Sequence, residues 1–128
     1  MINTEKEAFI SFAERMISSM ENNTYSACFL EINRQEGVTG FSTSYKDANG
    51  EEKYYTIRNG SEVCEVIREL YTITQTQPPI HKDWNKAVFT LYPDGKVDME
   101  YIWDAEWQAK IDRYNAEAEA EKQKNRGI

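Results

Sequence analysis

The chain has 128 residues, 22 acidic against 15 basic side chains, a formal charge of −7 and a mean hydropathy of −0.76. One domain of this length buries roughly two-thirds of the surface its unfolded chain exposes, so neither a metal nor a disulfide is required to hold it. The acidity disfavours direct binding to phosphate backbones and favours a basic partner, while no apolar run approaches the ~18 residues of a membrane span.

Residues 4–20 place Ala8, Phe9, Phe12, Ala13, Met16, Ile17 and Met20 on one helical stripe, which predicts a first helix with a core-facing side. Residues 25–33 then alternate Tyr25, Ala27 and Phe29 with Cys28, Leu30 and Ile32, an almost continuously apolar strand suited to the middle of a sheet. Gly37 permits a turn into a strand over 38–46, and Asp47-Ala48-Asn49-Gly50 connects to a further strand over 53–58. Ser61 is expected to cap a second helix with the stripe Val63, Val66, Ile67, Leu70 and Tyr71, ending before Pro78-Pro79. Two more strands follow. Asp104 is then expected to cap a third helix bearing Trp107, Ile111, Tyr114 and Ala118, whose Ala/Glu/Lys-rich end over 116–128 should fray. The result is a single α+β domain over 1–128, with one antiparallel sheet of about five strands and helices mainly on one face.

The turn Pro93-Asp94-Gly95 carries the most local information. Proline presets φ and glycine takes a left-handed position, so a type I turn closing on a glycine bulge is predicted. That geometry pairs Leu91 with Val97, Phe89 with Met99 and Ala87 with Tyr101, an apolar face continuing to Trp103. Thr90 then opposes Asp98 and Val88 opposes Glu100 on the other face; a slip of one residue would mix apolar and acidic groups on both. From Asp94 to Glu121 there are nine carboxylates and three basic side chains, nearly the whole net charge. This cluster is either a solvated helix face or the electrostatic part of a partner surface.

No catalytic, cofactor or metal site is expected. The single histidine, His81, has only Asp83 nearby as an orienting group. Cys28 and Cys64 lie far apart, lack zinc-ligand spacing and suit reduced thiols in a cytoplasmic protein, as does the absence of a leader at the start of the sequence. Asp94, Asp98, Glu100 and Asp104 sit on a hairpin with alternating side chains, unlike a loop that wraps ligands around an ion. The tyrosines and Trp103 lack the basic groove that base stacking needs. Trp103 and Trp107 are expected in the core, and Trp84 at a rim or as an interface anchor.

Trp84, Phe89-Thr90-Leu91-Tyr92, Pro93-Asp94-Gly95-Lys96 and Val97-Asp98-Met99-Glu100-Tyr101 resemble the YezG-like family of immunity proteins over roughly residues 80–115. The resemblance implies a non-enzymatic antitoxin that neutralises a polymorphic or contact-delivered toxin, often a nuclease, in the cell that makes it. The expected partner is a toxin with a basic surface, and the candidate partner-binding residues are Trp84, Tyr92, Asp94, Asp98, Glu100, Asp104 and Glu106. The alternative is a secretion-chaperone-like module. Type III secretion chaperones are also small and acidic, share this element order, and are usually dimers that wrap an extended effector segment.

Overall fold

The computed structural model describes residues 2–21, 23–35, 38–76 and 83–126, with the side chains of 124–126 excepted. The expected turn at Gly37, the prolines 78 and 79, and His81 lie outside the described residues. The elements are α1 (Glu5–Ser19), β1 (Ala27–Gln35), β2 (Val38–Lys46), β3 (Glu52–Tyr54), α2 (Gly60–Thr76), β4 (Lys86–Leu91), β5 (Val97–Ile102) and α3 (Ala105–Arg126). The strands form one antiparallel sheet in the order β3-β2-β1-β4-β5, so the fold is the α+β arrangement expected from the sequence. Among the described residues, no helix is long and apolar enough to cross a membrane.

Helix α1 starts where Thr4 leaves extended backbone and its hydroxyl accepts a hydrogen bond from the Glu7 N–H at 3.1 Å. Glu5 and Glu7 in the first turn complement the positive end of the helix dipole. Ala8, Phe12 and Met16 are fully buried, whereas Ile17, expected in the stripe, is 54% exposed. Its position lies about 140° around the helix from the centre of that buried arc. Phe12 and Phe9 pack on Phe89 with ring centroids 5.4 and 5.5 Å apart, binding α1 to β4. Antiparallel to α1, α2 buries Val63, Val66, Ile67, Leu70, Ile73 and Thr74 against the same sheet face. Arg15 at one end of the pair bonds Glu62 at 2.6 Å, and the Ile2 N–H at the other bonds Glu69 at 3.1 Å.

Central strand β1 presents Cys28, Leu30 and Ile32 to the helices, opposite Leu91, Phe89 and Ala87 of β4. Its alternate residues, Phe29, Glu31 and Asn33, face away. Pairing of β1 with β4 is the long-range link that joins the two hairpin halves.

The β4–β5 register is the one the turn chemistry specifies: Leu91 pairs with Val97, Phe89 with Met99, Ala87 with Tyr101, Thr90 with Asp98 and Val88 with Glu100. Gly95 has φ +89°, its N–H donates to the Tyr92 carbonyl at 3.0 Å, and the Tyr92 N–H donates to the Lys96 carbonyl at 2.9 Å. A side chain at Gly95 meets nothing within 4 Å, so only backbone strain opposes it. Gly95→Val is therefore expected to lose roughly 1–2 kcal/mol in urea unfolding, through the left-handed backbone cost to a β-branched residue. An unchanged unfolding midpoint would contradict this account of the turn.

Several expectations are corrected by tertiary packing. Strand β3 stops at Tyr54, well short of residue 58, because the Thr43 hydroxyl takes the Tyr55 carbonyl and Ile57 turns inward, 6% exposed. Ser61 does not cap α2: Asn59, at φ 59°, places its carbonyl to accept from the Glu62 and Val63 N–H groups, leaving Ser61 inside the first turn. Val97 and Trp103, expected in the core, are 39% and 52% exposed. On this edge strand only Met99 and Tyr101 pack against the core, and Tyr101 donates to Glu5 at 2.7 Å. Helix α3 keeps helical geometry to Arg126, past the expected fraying point, yet Tyr114 on its predicted stripe is 69% exposed. Only its first turns meet the domain, at Trp107, Gln108 and Ile111, which are half-buried.

Candidate partner-binding face

Because α1 and α2 share one side of the sheet, the other side is left without them. Strand register sets Glu31 beside Val88 and Val88 beside Glu100, while the next row runs Tyr54, Ser44, Phe29, Thr90 and Asp98. Asp98 and Glu100 stand two residues apart on one strand, roughly 7 Å, and Glu31 lies two strands over, roughly 10 Å away. All three are exposed and, among the described residues, none forms an ion pair. The Ser42 hydroxyl donates to Glu31 at 3.4 Å. Half-buried Val88 lies between Glu31 and Glu100, half-buried Phe29 and Ile102 flank the carboxylates along β1 and β5, and Tyr54 is 78% exposed at the edge. The face thus sets three exposed carboxylates among apolar and hydroxyl side chains, with Lys46 and Lys86 in the flanking rows.

The seven candidate residues do not converge on one patch. Trp84, expected at a rim or interface, is 1% exposed, with its indole N–H donating to the Thr74 hydroxyl at 2.9 Å and its ring against Tyr71 and Tyr101. It is a core residue, and a partner cannot touch it in this conformation. Tyr92 is 41% exposed beside the turn, where Asp94 accepts from the Lys96 N–H at 3.0 Å. Asp98 and Glu100 form the centre of the acidic face, and Glu106 is exposed on the first turn of α3. Asp94 and Asp104 sit at opposite ends of β5, roughly 20 Å apart along a six-residue strand.

Asp104 is occupied internally. Its carboxylate accepts from Lys86 Nζ at 2.8 Å and from the Trp107 N–H at 2.9 Å, capping α3 as the sequence predicts. Buried Asn85 completes the joint: its side chain accepts from the Asp104 N–H at 2.7 Å and donates to the Asp104 carbonyl at 2.9 Å. Lys86 also lies 5.1 Å from the Trp107 ring centre. The Lys86 hydrogen bond, then the Trp107 N–H, holds the Asp104 carboxyl below its ordinary pKa. A lowered folded pKa stabilises above the unfolded value and loses that stabilisation as pH falls through the folded value. Wild type is therefore expected to lose melting temperature relative to Asp104→Ala as pH drops below about 4, the ordinary carboxylate range. Parallel melting curves for the two proteins from pH 6 to pH 2 would refute this assignment.

Glu31 was not singled out by the sequence, because its place in one cross-strand row with Val88 and Glu100 depends on β1 pairing with β4. Its only local signal is parity with Ala27 and Phe29. Elsewhere, burial pushes up the Cys28 thiol, and burial followed by the Glu5 hydrogen bond pushes up the Tyr101 phenol. Among the described residues, no group of three or more His, Cys, Asp or Glu side chains is placed to hold a metal ion. No protein-family model matches the chain, and no curated protein matches it.

Proposed function

We propose that this chain is an immunity protein that binds a bacterial toxin, a nuclease by class, and covers its basic substrate surface with the acidic face of the sheet. The observation that carries the reading is the set Glu31, Asp98 and Glu100, exposed and free of ion pairs among the described residues on the sheet face away from α1 and α2. A nuclease is basic where it holds phosphates, so a rigid array of carboxylates competes for that surface and speeds encounter. Alternating Phe29 and Val88 add apolar contact that a purely solvated acidic face would not offer. The resemblance of the 84–101 segment to YezG-like proteins supports the same role. Asp104 has a different part, holding α3 to the hairpin.

The test is co-expression with the C-terminal domain of the toxin encoded beside the gene in its native genome. Restored growth, with a complex that survives gel filtration, is the expected result. Growth arrest unrelieved by the chain would overturn the proposal. The secretion-chaperone reading is favoured by the helix-strand-strand-strand-helix-strand-strand-helix order. It calls for a dimer and for a neighbouring secreted effector, and light scattering that gives a monomer would remove it.

A further inference from the structure

The helix side of the sheet carries a feature of opposite charge. Arg34 ends the helix-facing row of β1, and its guanidinium carbon lies 3.3 Å over the centre of the Tyr71 ring. Tyr71 is itself braced edge-on against buried Trp84, ring centres 5.4 Å apart, so the cation rests on a wall fixed to the core. Arg68 stands on α2 one turn before Tyr71. Both arginines line a pocket of about 230 Å³ together with Gln35, Thr39, Tyr71 and Thr72. Thr39 is the direct cross-strand neighbour of Arg34.

In a chain of net charge −7, this pocket has two guanidinium groups and no carboxylate among its described lining residues, while Arg34 and Tyr71 also line a second pocket that holds Asp83 and Asp112. Neither Arg34 nor Arg68 forms an ion pair among the described residues. Stacking on an aromatic ring occupies the face of a guanidinium and leaves its edge N–H donors in plane, the arrangement that grips a carboxylate or phosphate through two bonds. Two cations sharing a pocket repel each other, and an anion between them removes that repulsion. The volume is below the roughly 300–1,000 Å³ of sites that enclose drug-sized ligands, so the pocket fits a head group.

We infer that this pocket binds an oxyanion, a carboxylate or phosphate group, between Arg34 and Arg68, with the Thr39 hydroxyl as a further donor. The site lies on the opposite side of the sheet from Asp98 and Glu100 and stands independently of the antitoxin proposal.

Titration of the labelled protein with sodium phosphate, and separately with sodium succinate, at constant ionic strength distinguishes the two sources by amide shifts. Saturable shifts at Arg34, Thr39 and Tyr71 with either anion are expected. Arg34→Gln and Arg68→Gln should each weaken binding about tenfold or more, since each removes a charged hydrogen-bond donor. Arg68 is exposed on α2, so R68Q keeps the fold even if R34Q disturbs the Tyr71 wall. Lys46→Gln, at the far end of β2, should leave affinity unchanged. Saturation by phosphate alone assigns a phosphate head group, and by succinate alone a carboxylate. Failure of both anions to saturate, or equal weakening in K46Q, overturns the inference.

Discussion

Trp84→Ala is expected to destabilise the protein by roughly 3–5 kcal/mol in urea unfolding, because it removes a large buried ring and leaves a cavity. Trp84 is 1% exposed and lies between Tyr71 and Tyr101, with ring centres 5.4 and 5.3 Å away. Small domains have roughly 5–15 kcal/mol of stability in all, so the variant should be marginal or unfolded at 37 °C. Thr74→Val gives a milder, independent check. It leaves the indole N–H without its 2.9 Å acceptor and should cost roughly 1–3 kcal/mol while keeping the ring in place. Trp103→Ala, by contrast, should change stability by less than about 1 kcal/mol, since half of its side chain already meets solvent. Equal losses for Trp84→Ala and Trp103→Ala would contradict the packing described here.

Reversing Asp98 and Glu100 together to lysine is expected to slow association with the toxin domain by about tenfold or more, because steering by complementary charge raises on-rates by roughly 10–1,000-fold. Glu31→Lys should act in the same direction, as it sits beside Val88 on the same face. The control is a pair from the helix layer, Glu14→Lys with Glu65→Lys, which changes net charge by the same amount. Glu52 would be a poorer control, since its pairing with Lys46 puts it at the far edge of the same open face. Added salt should narrow the difference, as exposed charges more than ~8 Å apart are screened at about physiological ionic strength. Equal effects of the two double reversals, together with a salt-independent rate, would refute charge complementarity as the basis of recognition. Asp104 is unsuitable for this comparison, because its reversal would also break the Lys86 contact and the α3 cap.

Local chemistry was enough for the β4–β5 hairpin. Proline and glycine in the turn admit few backbone geometries, and a one-residue slip would have exchanged the two faces, so every pair from Leu91–Val97 to Ala87–Tyr101 follows from residues within a short window. The same is true of the Asp104 cap of α3, where a side-chain oxygen and an N–H three residues on form a closed local unit. Burial was harder to read, because alternation tells which residues share a face and says nothing of how far the opposing layer extends. Trp84 and Trp103 exchanged their expected places for that reason. Trp84 lies among Tyr71, Tyr101 and Thr74, while Trp103 falls beyond the packed part of an edge strand. The acidic row from Glu31 to Glu100 and the Arg34–Tyr71 stack arise only from long-range pairing. Periodicity reaches two to four residues along the chain, but these side chains meet across strands and layers that the folded sheet alone brings together.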